Sequence, residues 1–158
     1  PDKLLKLVVD FNAFLGVPPA RNLSNETVSK GRELFYQSNC QICHTPSYQT
    51  DPAYPVAELA NNTIWPYTDL ALHDMGEGLA DGVYEFSANG NEWRTPPLWG
   101  IGLQQRILGE QRFLHDGRAR NLSEAILWHG GEAQNAKNQF INLSRLERKQ
   151  LIGFLKAI

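Results

Sequence analysis

The chain has 158 residues, of which 42% are hydrophobic and 20% are charged. This is the composition of an ordinary globular domain, so it argues against a disordered chain and against a small disulfide scaffold. Fifteen Lys and Arg residues against seventeen Asp and Glu give a net charge of −2, without the basic excess typical of nucleic-acid-binding proteins. The apolar runs are far too short for a membrane span. We therefore expect neither a nucleic-acid partner nor a membrane-spanning segment.

The first predicted element is a helix over residues 2–15, where apolar side chains recur at three- and four-residue steps. Gly16 and the Pro18-Pro19 pair end it, because proline cannot continue the helical hydrogen-bond ladder. We expect residues 1–23 to form a helix and connector that could serve as a brace between domains. The chain begins at Pro1 without a signal-peptide pattern, so any signal peptide is expected to have been removed, or the chain is part of a longer one.

A second helix is predicted from an N-cap at Ser24 to about Ser38, with Glu26 in its first turn. Its inner face is expected to consist of Val28, Gly31, Leu34 and Phe35. A glycine in that face lowers helix propensity, which suggests that another backbone approaches closely there.

Residues 45–97 are rich in proline, glycine and tryptophan and show no alternation convincing enough for a core strand. At most, a short ribbon is expected near Tyr84–Phe86 and Trp93. A loop of this length inside a compact domain is unusual unless something besides secondary structure organises it, and a large cofactor would do so.

Two further helices are predicted near the C-terminus. Asn121 can cap a helix over residues 122–129, which ends before two glycines. Ser144 and Glu147 form a capping box for the last helix, whose buried face is expected to hold Leu151, Phe154, Leu155 and Ile158. The fold class expected from the sequence is therefore all-α with long ordered loops.

The two cysteines lie three residues apart, with a histidine directly after them: Cys40-Gln41-Ile42-Cys43-His44. This is the spacing of covalent c-type haem attachment, in which both thiols bond the porphyrin and the imidazole is the proximal iron ligand. A thioredoxin-like redox pair would follow a strand in a βαβ unit, which the sequence does not contain. A zinc site would need a second ligand pair, and no further cysteine supplies it. One covalent haem c is the favoured cofactor.

The second half of the chain carries an ordered set of motifs: Trp93–Trp99, Phe113–Ala119 and Leu122–Ile126, with Leu72–Gly76 and Ile126–Ala133 beside them. From Ser24 to Ile158 the chain resembles the C-terminal haem domain of the bacterial di-haem cytochrome c peroxidase superfamily. Within that superfamily it is most similar to the di-haem oxidoreductase branch, the branch of peroxidase-like and thiol-oxidoreductase-like proteins. The resemblance implies cytochrome c-like helices around the haem in a domain over residues 24–158.

The resemblance also implies a distal iron ligand fourteen residues beyond the histidine of the F-x-H-D-G motif, which places it at His129. Met75 is the alternative, because it is the only methionine and lies in a loop beside a glycine. Replacing methionine by histidine as the ligand would lower the reduction potential.

The remaining predicted haem contacts come from three segments. Arg94 and Arg118 are expected to bind the propionates, because a guanidinium pairs with a carboxylate through two hydrogen bonds. The side chains expected to pack on or beside the porphyrin are Pro97, Leu98, Trp99 and His115. Asp116 is expected to orient the His115 ring, and His73 with Asp74 to hold the opposite edge.

The leading hypothesis is one-electron transfer by a single six-coordinate haem. The resemblance implies that electrons are taken from a small donor protein and passed to a second haem domain outside this chain. Because this haem is attached outside the cytoplasm, a periplasmic location is expected. The fragment alone is not expected to be catalytic. Two alternatives stay open: a haem enzyme with an open or labile distal site that reduces peroxide, and a haem-free thiol redox module.

Overall fold

The computed structural model describes residues 2–158. Six α-helices lie in this range: α1 Asp2–Ala13, α2 Glu26–Gln37, α3 Gln104–Leu108, α4 Leu122–Trp128, α5 Gln134–Asn142 and α6 Arg145–Ala157. Four short strands accompany them: β1 Tyr48–Gln49, β2 Thr63–Ile64, β3 Leu72–Asp74 and β4 Glu92–Arg94. Single 3₁₀ turns cover Cys40–Ile42, Ala57–Leu59, Ile101–Leu103 and Gly131–Ala133.

The core is built where α2 crosses α6. A side-chain carbon at Gly31 would clash with the carbonyl oxygen of Gln150 and lie 2.8 Å from Cβ of Phe154, so only glycine lets the two helices approach this closely. Beside the crossing, the rings of Phe35 and Phe154 meet edge to face with their centroids 5.4 Å apart. The close backbone approach predicted from a buried glycine is confirmed.

The local signals of the helices agree with the structure. The α2 face buries all four predicted residues, although Asn25 rather than Ser24 is the N-cap. The side chain of Asn121 accepts a hydrogen bond from the Glu124 backbone at the start of α4. The capping box of Ser144 and Glu147 is present at α6. The last-helix residues predicted as buried are all at most 6% exposed: Leu151, Phe154, Leu155 and Ile158.

The predicted all-α class is wrong. The chain is 45% helical and carries two small antiparallel sheets, so its fold is mixed α and β. Strand β1 pairs with β2, and β3 pairs with β4 so that His73 faces Trp93. Strands of two or three residues are too short to show alternation in the sequence, and their pairing depends on distant partners. A strand near Trp93 exists, but its partner is β3. The segment Tyr84–Phe86, which the sequence predicts as part of the ribbon, has only an isolated bridge between Glu85 and Ala88.

Helix α1 has no buried residue. Its apolar stripe, which includes Leu4, Leu7 and Phe11, is more than half exposed at every position. The connector after it is tied to the end of α6, since the Arg21 guanidinium donates to the Lys156 carbonyl at 2.6 Å. The division of the chain at residue 23 stays a prediction. None of the helices within residues 2–158 is long and apolar enough to cross a bilayer.

Gly31→Ala is expected to lower the free energy of unfolding by at least about 2 kcal/mol, because the new methyl group meets the α6 backbone, which cannot move aside cheaply. This clash outweighs the gain of about 1 kcal/mol in helix propensity. Chemical denaturation measures the difference. Gly16→Ala is the control, because nothing lies within 4 Å of a methyl group there; an equal loss in both variants would contradict the crossing.

Candidate functional site

The attachment motif begins directly after α2. Asn39 adopts a left-handed conformation with φ 63°, and this turn leads the chain from α2 into the 3₁₀ turn that carries Cys40. The backbone N–H of His44 donates to the Cys40 carbonyl at 3.0 Å, which closes the motif on itself. Cys40 also packs against the core cluster that contains Phe35. The helix crossing therefore fixes where the motif lies.

The thiols of the motif are protonated at neutral pH. Burial raises the pKa of Cys40 to about 12. Burial also raises the pKa of Cys43, and the carboxylates of Asp69 and Glu132 add to that shift. Redox-active thiol pairs depend on a lowered thiol pKa, so these environments are the opposite of what a thiol redox module needs.

The ring of His44 is held by the backbone. Its Nδ1–H donates to the carbonyl oxygen of Tyr67 at 3.0 Å, because a carbonyl can only accept. This leaves the lone pair of Nε2 free, as a metal ligand requires. Burial lowers the pKa of His44 to about 4, so the imidazole is neutral at physiological pH.

His129 has the same arrangement at the end of α4. Its Nδ1–H donates to the Ala125 carbonyl at 2.8 Å, and burial lowers the pKa of the ring. The ring therefore also presents a neutral Nε2. The centroids of the His44 and His129 rings are 6.5 Å apart. The structure thus brings the predicted proximal ligand and the favoured distal candidate close together, with their ring planes inclined at 45°.

The gap between the two rings fits a single metal ion. An imidazole nitrogen lies about 2.0–2.1 Å from a bound metal ion and about 1.2 Å from its own ring centroid, so two imidazoles on opposite sides of one ion have centroids about 6.4 Å apart. The observed 6.5 Å agrees with this value. Both free nitrogens are neutral donors, and imidazole suits haem iron. The donor chemistry of these two residues and their separation therefore fit the ligand set of a haem iron.

The alternative distal ligand, Met75, lies beside His129 in the fold. The Gly130 backbone packs so closely on the Met75 carbonyl that a side-chain carbon at Gly130 would lie 2.8 Å from it. Gly76 lies in the left-handed region with φ +76°, and a side-chain carbon there would lie 2.9 Å from the Gly131 nitrogen. The backbones of the loop after β3 and the loop after α4 are thus in direct contact. Met75 and His129, the two candidates for the distal ligand, are therefore neighbours in the fold.

A carboxylate pair clamps His73 next to the motif. Its Nε2 lies 2.8 Å from Asp69 and its Nδ1 lies 2.8 Å from Glu132. The hydrogen bond to Glu132 raises the pKa of His73, burial opposes that shift, and Asp69 reinforces it. The ligand atoms of Cys43, Asp69 and His73 also lie within 4.8 Å of one another. A metal ion bound by Cys43 would compete with haem attachment. Metal binding uses the Cys43 thiolate, whereas haem attachment converts the same sulfur into a thioether.

The other predicted haem contacts lie in different surroundings. Arg94 is on β4 and exposed, whereas Arg118 pairs with Asp116 and lies 4.9 Å from the Trp128 ring centre. Pro97 and Trp99 are half-buried around Leu98, which belongs to the core. The contact of these residues with a porphyrin stays a prediction.

His115 is positioned by an aromatic neighbour rather than by its acidic one. Its ring stacks on Trp93 at 3.5 Å with an interplanar angle of 7°, and the Trp93 indole donates to the Leu79 carbonyl at 3.1 Å. The nearest Asp116 oxygen lies 3.9 Å from His115 Nε2, which is beyond hydrogen-bond length. Trp93 is therefore the residue that orients this ring.

The sequence did not reveal which groups orient the site histidines. Tyr67 and Ala125 accept these hydrogen bonds through their backbone carbonyls. Every residue has such a carbonyl, so the residue type does not reveal this role. Asp69 and Glu132 are ordinary acidic residues that become informative only when the fold brings them to His73. Glu132 is 59 residues from His73 in the chain.

Over residues 1–158 the chain matches the family model described as "Di-haem oxidoreductase, putative peroxidase". The chain belongs to this family, and haem is therefore its family's cofactor. This confirms the resemblance on which the sequence expectations rest. No significant match was found among curated proteins or among solved structures.

Glu132→Gln is expected to destabilise the protein most between about pH 4.5 and 6.5. The raised pKa of His73 stabilises the fold below about pH 6.5, and this contribution is lost as the pH rises through the folded-state value. The lowered pKa of Glu132, caused first by the His73 hydrogen bond, stabilises above about pH 4.5 and is lost in acid. Urea midpoints at pH 5.5 and pH 9 should show a larger loss at pH 5.5. Glu77→Gln is the exposed control, and a pH-independent loss in Glu132→Gln would refute the clamp.

Proposed function

We propose that this chain transfers single electrons through one covalently attached c-type haem whose iron would be held by His44 and His129. The observation that carries the proposal is the pair of neutral imidazoles with centroids 6.5 Å apart. When bound, haem would supply the one-electron couple of its iron. The chain would hold it through the Cys40 and Cys43 sulfurs and the two ring nitrogens.

The geometry supports an electron carrier over the two alternatives. A peroxide-reducing site needs an open or easily vacated iron position, whereas His129 is fixed by its bond to Ala125 and by the glycine contacts after α4. A thiol redox module needs a reactive thiolate, and burial raises the Cys40 pKa to about 12.

The family is di-haem, while the two cysteines here suffice for one attachment motif. We therefore propose that the second haem is held outside these 158 residues and that it receives the electrons, with a small donor protein supplying them. We do not propose that these 158 residues alone reduce peroxide. A periplasmic location is proposed because c-type haem is attached outside the cytoplasm.

The first test is the absorption spectrum of protein made in cells competent for haem attachment, oxidised and then reduced with dithionite. Sharp low-spin c-type bands are expected from the folded protein, and the haem should stay with the polypeptide after denaturation. Cys40→Ser with Cys43→Ser should release the haem. A high-spin spectrum with rapid cyanide binding would support the enzyme alternative. A featureless spectrum with two titratable thiols would support the thiol module, and bound zinc would favour the cluster of Cys43, Asp69 and His73.

The distal ligand is tested by a matched pair of variants. His129→Met should raise the reduction potential, because methionine ligation favours the reduced haem, whereas Met75→Leu should leave the potential and the low-spin bands unchanged. Redox titration with optical detection measures both. A high-spin Met75→Leu variant would instead assign the ligand to Met75.

A further inference from the structure

A second feature of the molecule lies between three helices and contains none of the proposed haem-binding residues. It is a groove of about 550 Å³ whose lining comes mainly from α4, α5 and α6, within the range of about 300–1,000 Å³ typical of ligand sites. Its apolar floor consists of Leu127, Phe140, Ile141 and Ile152. Leu127 and Ile141 are each 47% exposed, so about half of the surface of these two apolar side chains is not covered by the rest of the chain.

Four cationic side chains surround this floor: Arg145, Arg148, Lys149 and Lys156. Among the described residues, none of them has a carboxylate oxygen within 4.0 Å. Arg148 donates only to the Ile141 carbonyl, at 3.0 Å. The nearby acid on the same helix, Glu147, instead accepts from the Ser144 backbone at 2.7 Å. The groove therefore has uncompensated positive charge in a chain of net charge −2.

The charges follow one stripe of α6. Residues 145, 148, 149, 152, 153 and 156 all line the groove, which is the three- and four-residue spacing of a single helix face. From Arg145 to Lys156 this stripe extends about 16 Å. A ligand with one carboxylate would reach one or two of the four cations, whereas a ligand with several spaced carboxylates would reach all of them.

We propose that this groove, the α4–α6 groove, docks an acidic amphipathic helix of a partner protein. Such a helix places carboxylates at three- and four-residue steps beside apolar side chains, which matches both the cation stripe and the apolar floor. The charges would steer association, and the floor would receive the apolar anchors. The proposal does not depend on haem, because the groove is lined by other residues.

The probe is a labelled helical peptide of about 18 residues, or about 27 Å of helix, with Glu at three- and four-residue steps beside a leucine stripe. Its affinity for the haem-loaded protein is measured by fluorescence anisotropy at low and high salt. Arg145→Glu with Lys149→Glu should weaken binding at least about tenfold at low salt, and salt should weaken binding to the wild type. Ile141→Asp, an exposed floor position, should weaken binding without a change of cation.

Lys3→Glu with Arg106→Glu is the matched control, because it makes the same change in net charge at residues that do not line the groove. It should alter the affinity less than about twofold. Equal weakening by the control, or equal binding of a peptide with Lys in place of Glu, would overturn the proposal. Saturable binding of dodecanoate at the groove without binding of the peptide would also overturn it, in favour of a small amphiphile.

Discussion

The close crossing of α2 and α6 at Gly31 determines where the candidate site is built. Phe35, one turn beyond Gly31, packs on Phe154 of α6 and lies 6.4 Å from the His44 ring and 5.8 Å from Tyr67, measured between ring centroids. The same aromatic ring therefore links the core to the histidine and to the residue whose carbonyl orients it. A change that separated the two helices would move the attachment motif as well as loosen the core.

His44 and His129 are oriented by the same type of hydrogen bond. The Nδ1–H group of each ring donates a hydrogen bond to a backbone carbonyl. Burial lowers the pKa of each ring, which keeps it neutral. The backbone can do this reliably because its position is set by secondary structure rather than by a mobile side chain: Ala125 belongs to α4, one helical turn before His129. The orientation of the distal candidate is thus a local property of a helix end, while that of His44 depends on a loop 23 residues away.

The sequence predicted what local patterns encode and missed what distant pairing creates. The capping residues Asn121 and Ser144 and the buried face of α2 could be recognised because each signal lies within one or two helical turns. The attachment motif was found for the same reason. The pairing of β3 with β4 joins residues about twenty positions apart in strands of only three residues, too short for alternation to appear. The clamp on His73 needs Glu132 from beyond α4, which no spacing rule indicates.

For the proposed electron transfer, the close contact between the loops after β3 and α4 has a consequence for its rate. Gly76, Gly130 and Gly131 let the two backbones touch, so the segment that follows His129 lies directly against the main chain of the loop after β3. A ligand held in this way would keep almost the same position whether the metal carries one electron more or less. Little structural reorganisation would then accompany each proposed transfer. Side chains introduced at these glycines would clash with the facing backbone and so force the two loops apart.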